Sequence, residues 1–324
     1  NSLRDVIYGN GLFVTVGSFG TILTSSDGTT WTQRTSGTSK HLGGVIYENG
    51  LFVTVGYSGT ILTSSDGTSW TSRTSGTSNG LYGITYINGL FVTVGDSGTI
   101  LTSSDGTTWT SRTSGTSNRL LRVIHGNGLF VTIGYKGTIL TSSDGTSWTS
   151  KTSVTSETLR GVTYGNGTFV TSCNSGIIFT STNGTTWTSR TSGTSDNLIG
   201  ITYGNSIFVM VGDSGTILTS SDGTTWTSRT SGTSNRLLRV IYGNGLFVTI
   251  GYKGTILTSL DGTSWTSRTS GILNSLRDVI YGNGLFVTVG SSGTLLTSSD
   301  GTTWTQRTSG TSNRLYGITY INGL

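Results

Sequence analysis

Proline is absent from the 324 residues, and cysteine and methionine occur once each. With Cys173 alone no internal disulfide can form, and the redox compartment is left open. Histidine occurs only twice, at 41 and 125, each a single substitution among the repeats, and around neither can a metal-ligand spacing or a Ser-His-Asp arrangement be defended. No apolar run approaches the roughly 20 residues that span a bilayer, so a membrane span is not expected. The opening "NSLRDVIYGN" is not a charged and then apolar leader, which gives no targeting signal and leaves the localisation unassigned. A helical period is also missing. What remains are β-branched residues punctuated by 51 glycines, the composition of an all-β chain.

The dominant feature is repetition. Trp31, Trp70, Trp109, Trp148, Trp187, Trp226, Trp265 and Trp304 are each 39 residues from the next. Such a period overrides length as a guide to domain number, so residues 1–324 read as a single domain: eight units over 1–313 and a partial ninth at 314–324. One unit parses into four short strands, "LRDVIY", "LFVTVG", "TILTSS" and "TWTQRT", with turn chemistry at Asn10-Gly11, Gly17–Gly20 and Asp27-Gly28. Along "LFVTV", Leu12, Val14 and Val16 take one face and Phe13 and Thr15 the other. A lone four-stranded meander cannot bury two apolar faces. Stacking the sheets around a ring buries both and leaves only short edges. The expectation is a β-propeller of eight four-stranded antiparallel blades, with nine blades as the alternative. Both Leu3–Tyr8 and Leu315–Tyr320 fit the innermost slot of the joining blade, so one should close the ring while the other is displaced or exchanges with a neighbouring molecule of an otherwise monomeric protein.

The stretch "TSSDGTTWT" recurs in every unit, as "TSTNGTTWT" from Thr180. Its aspartates, Asp27, Asp66, Asp105, Asp144, Asp222, Asp261 and Asp300, are expected to accept backbone hydrogen bonds in the third turn, while the tryptophans fill the gap between blades. These residues resemble the Asp-box, or bacterial neuraminidase repeat, one residue shorter between Asp and Gly. More broadly, "GITYINGLFVTVGDSGTILTSSDGTTW" is similar to the blades of propellers related to photosystem II assembly factors. The resemblance covers essentially the whole chain. It implies a propeller in which the box is a fold element and not a catalytic one.

Differences between units separate scaffold from decoration. The first and third turns are nearly constant. Variation gathers at the entry to the first strand and in the middle turn, which an up-and-down meander places at one end of the ring. Each unit has a basic residue on its fourth strand, from Arg34 to Arg307, which nearly balances the seven Asp-turn carboxylates. Of the remaining 11 basic and seven acidic side chains, all but Glu48 fall at the variable end, which is mildly positive. Solvated charge explains this without nucleic acid, which is not expected as a partner. Candidate binding residues there are Tyr57, Tyr82, Arg122, Tyr135, Lys136, Arg160, Arg239, Tyr252 and Lys253, with the tyrosines expected to be exposed. Aromatic faces beside polar groups suit a glycan, and the varied pairs suit a protein ligand.

No catalytic residues, metal or cofactor are assigned. His41, His125 and Cys173 read as tolerated replacements. Sialidase activity is not expected, because Glu48 and Glu157 lack the surroundings of a base. Asp5 and Asp278 become ring neighbours on closure, which keeps open a glycoside hydrolase with paired carboxylates near the central opening. Arg4 and Arg277 stand beside them and favour an ion-pair cluster instead. The leading expectation is a noncatalytic scaffold presenting one variable face. The other alternative is a set of units expanded by recent duplication, or engineered, with no selected ligand.

Overall fold

The structure, a computed structural model, describes residues 3–151 and 155–308. Blade 1 consists of β1 (Leu3–Gly9), β2 (Leu12–Gly17), β3 (Ile22–Ser25) and β4 (Thr32–Arg34), paired antiparallel in that order. Seven further four-stranded sheets repeat the pattern, giving eight blades. Their first strands begin at Leu42, Leu81, Leu120, Leu159, Leu198, Leu237 and Leu276, and each packs beside the next around the central channel.

The ring closes blade 1 on blade 8. Val6, Phe13, Leu23 and Trp31 share one buried cluster with Ile280, Val287, Val289 and Leu295. β1 therefore takes the innermost slot of blade 1, and blade 8 is complete within Leu276–Gln306. The competing strand at Leu315–Tyr320 lies outside the described residues. Nine blades are not needed to bury the edges.

The alternation read from "LFVTV" sets the packing between blades. Val14, Val16 and Ile22 of blade 1 meet Phe52 and Leu62 of blade 2, and the same two faces meet at each boundary, as with Val248, Ile250 and Ile256 against Phe286, Leu296 and Trp304. Tryptophan does sit between blades, but at the rim: Trp31, Trp187 and Trp304 are 8–9% exposed and the other five are half-buried. The centre of each interface belongs to phenylalanine. Phe13, Phe52, Phe91, Phe169, Phe208, Phe247 and Phe286 are wholly buried, each beneath a Tyr at 4.4–4.7 Å and a Trp at 6.2–6.5 Å between ring centroids. In blade 4, His125 takes the Tyr place against Phe130 at 5.0 Å, and partial burial lowers its pKa. Cys173, at the end of a strand, is buried and its thiol is pushed up to about 12, first by burial.

Turn chemistry follows the residues. Asn10 and Gly11 both have positive φ (50° and 76°), as a type I′ hairpin turn requires. In the third turn Asp27 Oδ1 accepts N–H bonds from Thr29 and Thr30 at 2.8 and 2.9 Å. Ser25 Oγ donates to the same oxygen and accepts the N–H of Gly28. Only the glycine here has positive φ, 72°, and a Cβ on it would lie 2.9 Å from Leu285 of the preceding blade. Trp31 Nε1 then donates to the Gly28 carbonyl at 3.0 Å, which locks the indole over the turn. On the fourth strand, Arg34 Nε donates to Thr24 Oγ1 at 2.8 Å, and the arginines of the other blades do likewise.

Phe91→Ala should cost about 3–5 kcal/mol in chemical denaturation, and Trp109→Ala less, since its indole is only half-buried; equal losses would contradict this ranking. The turn carboxylates are held well below the usual range, chiefly by the hydroxyl and N–H donors of the turn. Each therefore stabilises the fold above the unfolded carboxylate value near 4, and that contribution is lost as the pH falls below it. Asn183 makes the same N–H contacts, so Asp105→Asn should fold. It should be less stable than the wild type at pH 7 by a margin that shrinks below pH 4; a pH-independent margin would refute the assignment.

Candidate binding face and channel mouth

A β-bulge separates two neighbouring positions at the start of every first strand. Leu3 pairs with Gly17 and Asp5 with Val16, leaving Arg4 as the extra residue, and the same shift recurs in all eight blades. Bulges re-aim side chains. Here the extra residue includes Tyr82, Arg160 and Arg277, which meet the variable end, whereas the residue after it belongs to the inner rim. Around the ring that inner position reads Asp5, Gly44, Gly83, Arg122, Gly161, Gly200, Arg239 and Asp278. Arg122 and Arg239, expected on the variable face, thus stand at its inner rim, beside the channel, and apart from the tyrosines.

The middle turn is a short 3-10 turn whose second residue is left-handed in every blade, at φ 52–58°. Its backbone bonds tie it to the strand entries: Tyr57 N–H donates to the His41 carbonyl at 2.8 Å and Gly59 N–H to Asn79 at 2.7 Å. Middle turns, connections and bulges therefore share one end, as expected. Residue 19 of blade 1 is a phenylalanine in this left-handed place, 60% exposed. A side chain there costs roughly 1–2 kcal/mol that glycine would avoid.

Phe19 begins a ridge that crosses four blades. Its ring meets His41 edge-on at 4.9 Å, His41 meets Tyr57 at 5.3 Å, and Tyr57 meets Tyr82 at 5.7 Å. The Arg119 guanidinium lies over Tyr82 and Tyr135 at 5.1 and 5.2 Å from the ring centroids. Arg119 also pairs with Asp96 at 2.5 Å, and Asp96 accepts the Tyr82 hydroxyl at 2.6 Å. His41 Nδ1 accepts the Phe19 N–H at 3.1 Å. The tyrosines are more covered than expected, because they pack on neighbouring rings and guanidiniums: Tyr57, Tyr82 and Tyr252 are half-buried and Tyr135 is 37% exposed. Lys136 and Lys253 are exposed beside Tyr135 and Tyr252, and Arg160 donates to Asn174 at 2.9 Å.

A related cluster stands three blades on. Arg236 pairs with Asp213 at 2.6 Å, and Tyr252 lies between Arg236 and Arg277 at 5.8 and 5.0 Å. Sequence reasoning missed Phe19, Arg119 and Arg236 as members of these clusters. For the arginines the signal was two residues upstream of the entry pairs, at the position that reads His41, Gly80, Arg119, Thr158, Asn197, Arg236 and Ser275. Two open concavities, of about 550 and 520 Å³, lie on the outer rim of the ring around Arg190 and around Lys253 and Arg268, away from both channel and ridge.

Asp5 and Asp278 do come together, and Asp278 takes its cation from blade 7 rather than from the neighbouring Arg277. Asp278 Oδ2 accepts from Arg239 Nε at 3.1 Å and its Oδ1 from the Val279 N–H at 2.8 Å. Asp5 Oδ2 accepts the Val45 N–H at 2.5 Å. Arg277 instead turns outward to Tyr252. Burial raises Asp278 to about 7, and burial together with the Asp278 charge raises Asp5 well above the usual carboxylate range. The carboxylates are 4% and 1% exposed, so neither can flank a glycosidic bond. Among the described residues no group of three or more His, Cys, Asp or Glu is placed to hold a metal, and no helix is long and apolar enough to cross a membrane.

Fold and face together define a β-propeller with one decorated end. No protein-family model and no curated protein matches the chain. Among solved structures it is similar to YCF48 bound to D1 peptide, at 18% identity and TM-score 0.62 over 80% of this chain and 93% of that one. YCF48 from Cyanidioschyzon merolae is similar at 17% and 0.60, over 79% and 94%. The computationally designed Ika8 protein is similar at 12% and 0.74, over 94% and 96%. At such identities the likeness is one of fold.

Because Asp5 has a raised pKa, its ionisation opposes folding as pH rises from about 4 upward. Asp5→Asn, whose amide oxygen can still accept from Val45, should be more stable than the wild type at pH 8 by thermal melting. That gain should vanish by pH 4; an equal difference at both pH values would contradict the burial argument.

Proposed function

We propose that the chain is a noncatalytic scaffold that binds an extended protein segment along the ridge on blades 1 to 4. The observation that carries this is the unbroken series Phe19, His41, Tyr57, Tyr82, Arg119 and Tyr135, built from positions that vary between otherwise similar units. Aromatic and guanidinium groups are the side chains that dominate protein-binding hot spots. Phe19 leaves 60% of its surface exposed at a place where the other seven blades carry Ser or Lys, which is the pattern of a residue kept for contact. Lys136 at the end of the ridge favours a segment carrying acidic side chains. A propeller of similar fold bound to a peptide supports a protein ligand.

The serine, aspartate and glycine contacts of the third turn support the further reading that it is a shortened Asp-box serving the fold. The candidates Lys253 and Tyr252 belong to the second cluster, and there a glycan remains the competing ligand. Residues 1–324 are taken as one domain, with 314–324 beginning a ninth unit.

A displayed peptide library selected on the protein and a glycan array applied to the same sample separate these readings. The expected result is enrichment of acidic, aromatic-containing peptides whose affinity falls at least tenfold in Phe19→Ser and Arg119→Ala, with thermal melting unchanged or raised in Phe19→Ser. Peptides that bind both variants as tightly as the wild type, or sugars bound in place of peptides, would overturn the proposal.

A further inference from the structure

The channel mouth holds four charged side chains on a ring whose remaining four inner positions are glycine. Asp5, Arg239 and Asp278 come from the adjoining blades 1, 7 and 8, and Arg122 from blade 4, opposite blade 8 in a ring of eight. Arg122 holds the same register position after the bulge as Asp5, Arg239 and Asp278, so all four residues belong to the same inner ring. Unlike the fourth-strand arginines, each tied to a threonine, the Arg122 side chain makes no hydrogen bond or ion pair among the described residues. Arg239 commits its Nε to Asp278, leaving its terminal amino groups for another acceptor. Two guanidiniums therefore face a single carboxylate that is already engaged, while the second carboxylate, Asp5, is sealed against Val45 with its Oδ1 enclosed and without a partner.

We infer that the channel mouth is a binding site for a compact oxyanion, a carboxylate or a phosphate-type group, held between Arg122 and Arg239. A guanidinium presents its N–H donors in a fork that matches such oxygens, and two of them at a narrow opening would otherwise repel each other. The repulsion is visible in Arg122, whose pKa is lowered to about 10, first by the Arg239 charge. Glycines 44, 83, 161 and 200 fill the other four inner positions, where a Cβ would lie 3.0–3.2 Å from a backbone carbonyl of the next blade, so the charged side chains come from four blades only. The site is separate from the ridge and does not depend on its having a ligand.

Arg122→Gln should fold, because the side chain has no partner to lose and glycine serves at the same position in four blades. The test is calorimetric titration with sulfate, as the tetrahedral probe, and with succinate, as the carboxylate probe, both at constant ionic strength. Saturable binding by the wild type should weaken at least tenfold in Arg122→Gln and stay unchanged in Arg112→Gln, whose arginine is bonded to Thr102 on the outer strands. Sulfate alone would assign phosphate-type ligands, succinate alone would assign carboxylates, and both would assign the shared chemistry. No saturable heat with either probe, or equal affinity in Arg122→Gln, would overturn the inference.

Discussion

Everything in this molecule depends on one contact made eight times: the valine and isoleucine face of a blade against the phenylalanine face of the next. A single four-stranded meander has two such faces and no interior of its own, so it gains stability only from neighbours on both sides. A rod would leave one face bare at each end. The ring removes both bare faces, and the cluster joining Val6, Phe13 and Trp31 to Ile280, Val287 and Leu295 is the seam at which this happens. The hydrogen-bonded third turn contributes by holding each indole at the rim of the same contact.

Because that contact uses only the strand interiors, the two ends of the ring are released from it. One end is nearly invariant, since the hairpins there need particular residues for particular dihedrals. At the other, the bulge and the left-handed turn residue tolerate Arg, Tyr, Asp, Lys, Phe or Gly without disturbing the sheets. A repeat that tolerates substitution at fixed places can assemble chemistry across blade boundaries. The ridge and the channel mouth are both of this kind, each built from residues of several blades and neither from one unit alone.

Much of the fold was legible in the residues. The tryptophan period gave the unit, the Asn-Gly and Asp-Gly pairs marked its hairpins, and the alternation in "LFVTV" assigned the faces correctly. Tryptophan, however, overshadowed Phe13 and its equivalents, because residue rarity draws attention whereas burial at the interface centre follows from geometry. The site was less legible. Arg122 and Arg239 were grouped with the tyrosines of the variable face since a one-residue bulge cannot be seen in a strand pattern, yet it decides which of two adjacent residues stands at the inner rim. Asp5 and Asp278 were rightly brought together through ring closure. The cation of Asp278 was misassigned to its sequence neighbour Arg277 because Arg239 approaches from another blade. Phe19 and Arg119 became partners of the tyrosines only through contacts between successive units, which no single repeat displays.

The account's central claim is the closed seam, and a double-mutant cycle tests it most directly. Phe13 and Leu285 converge on Gly28 across the seam, as Phe52 and Leu12 converge on Gly67 at an internal boundary. Substituting each pair singly and jointly with alanine should give the same coupling at both places, about 0.5–3 kcal/mol for residues in contact. Coupling at Phe52 and Leu12 with none at Phe13 and Leu285 would mean an open ring, and would contradict the architecture from which every functional assignment follows.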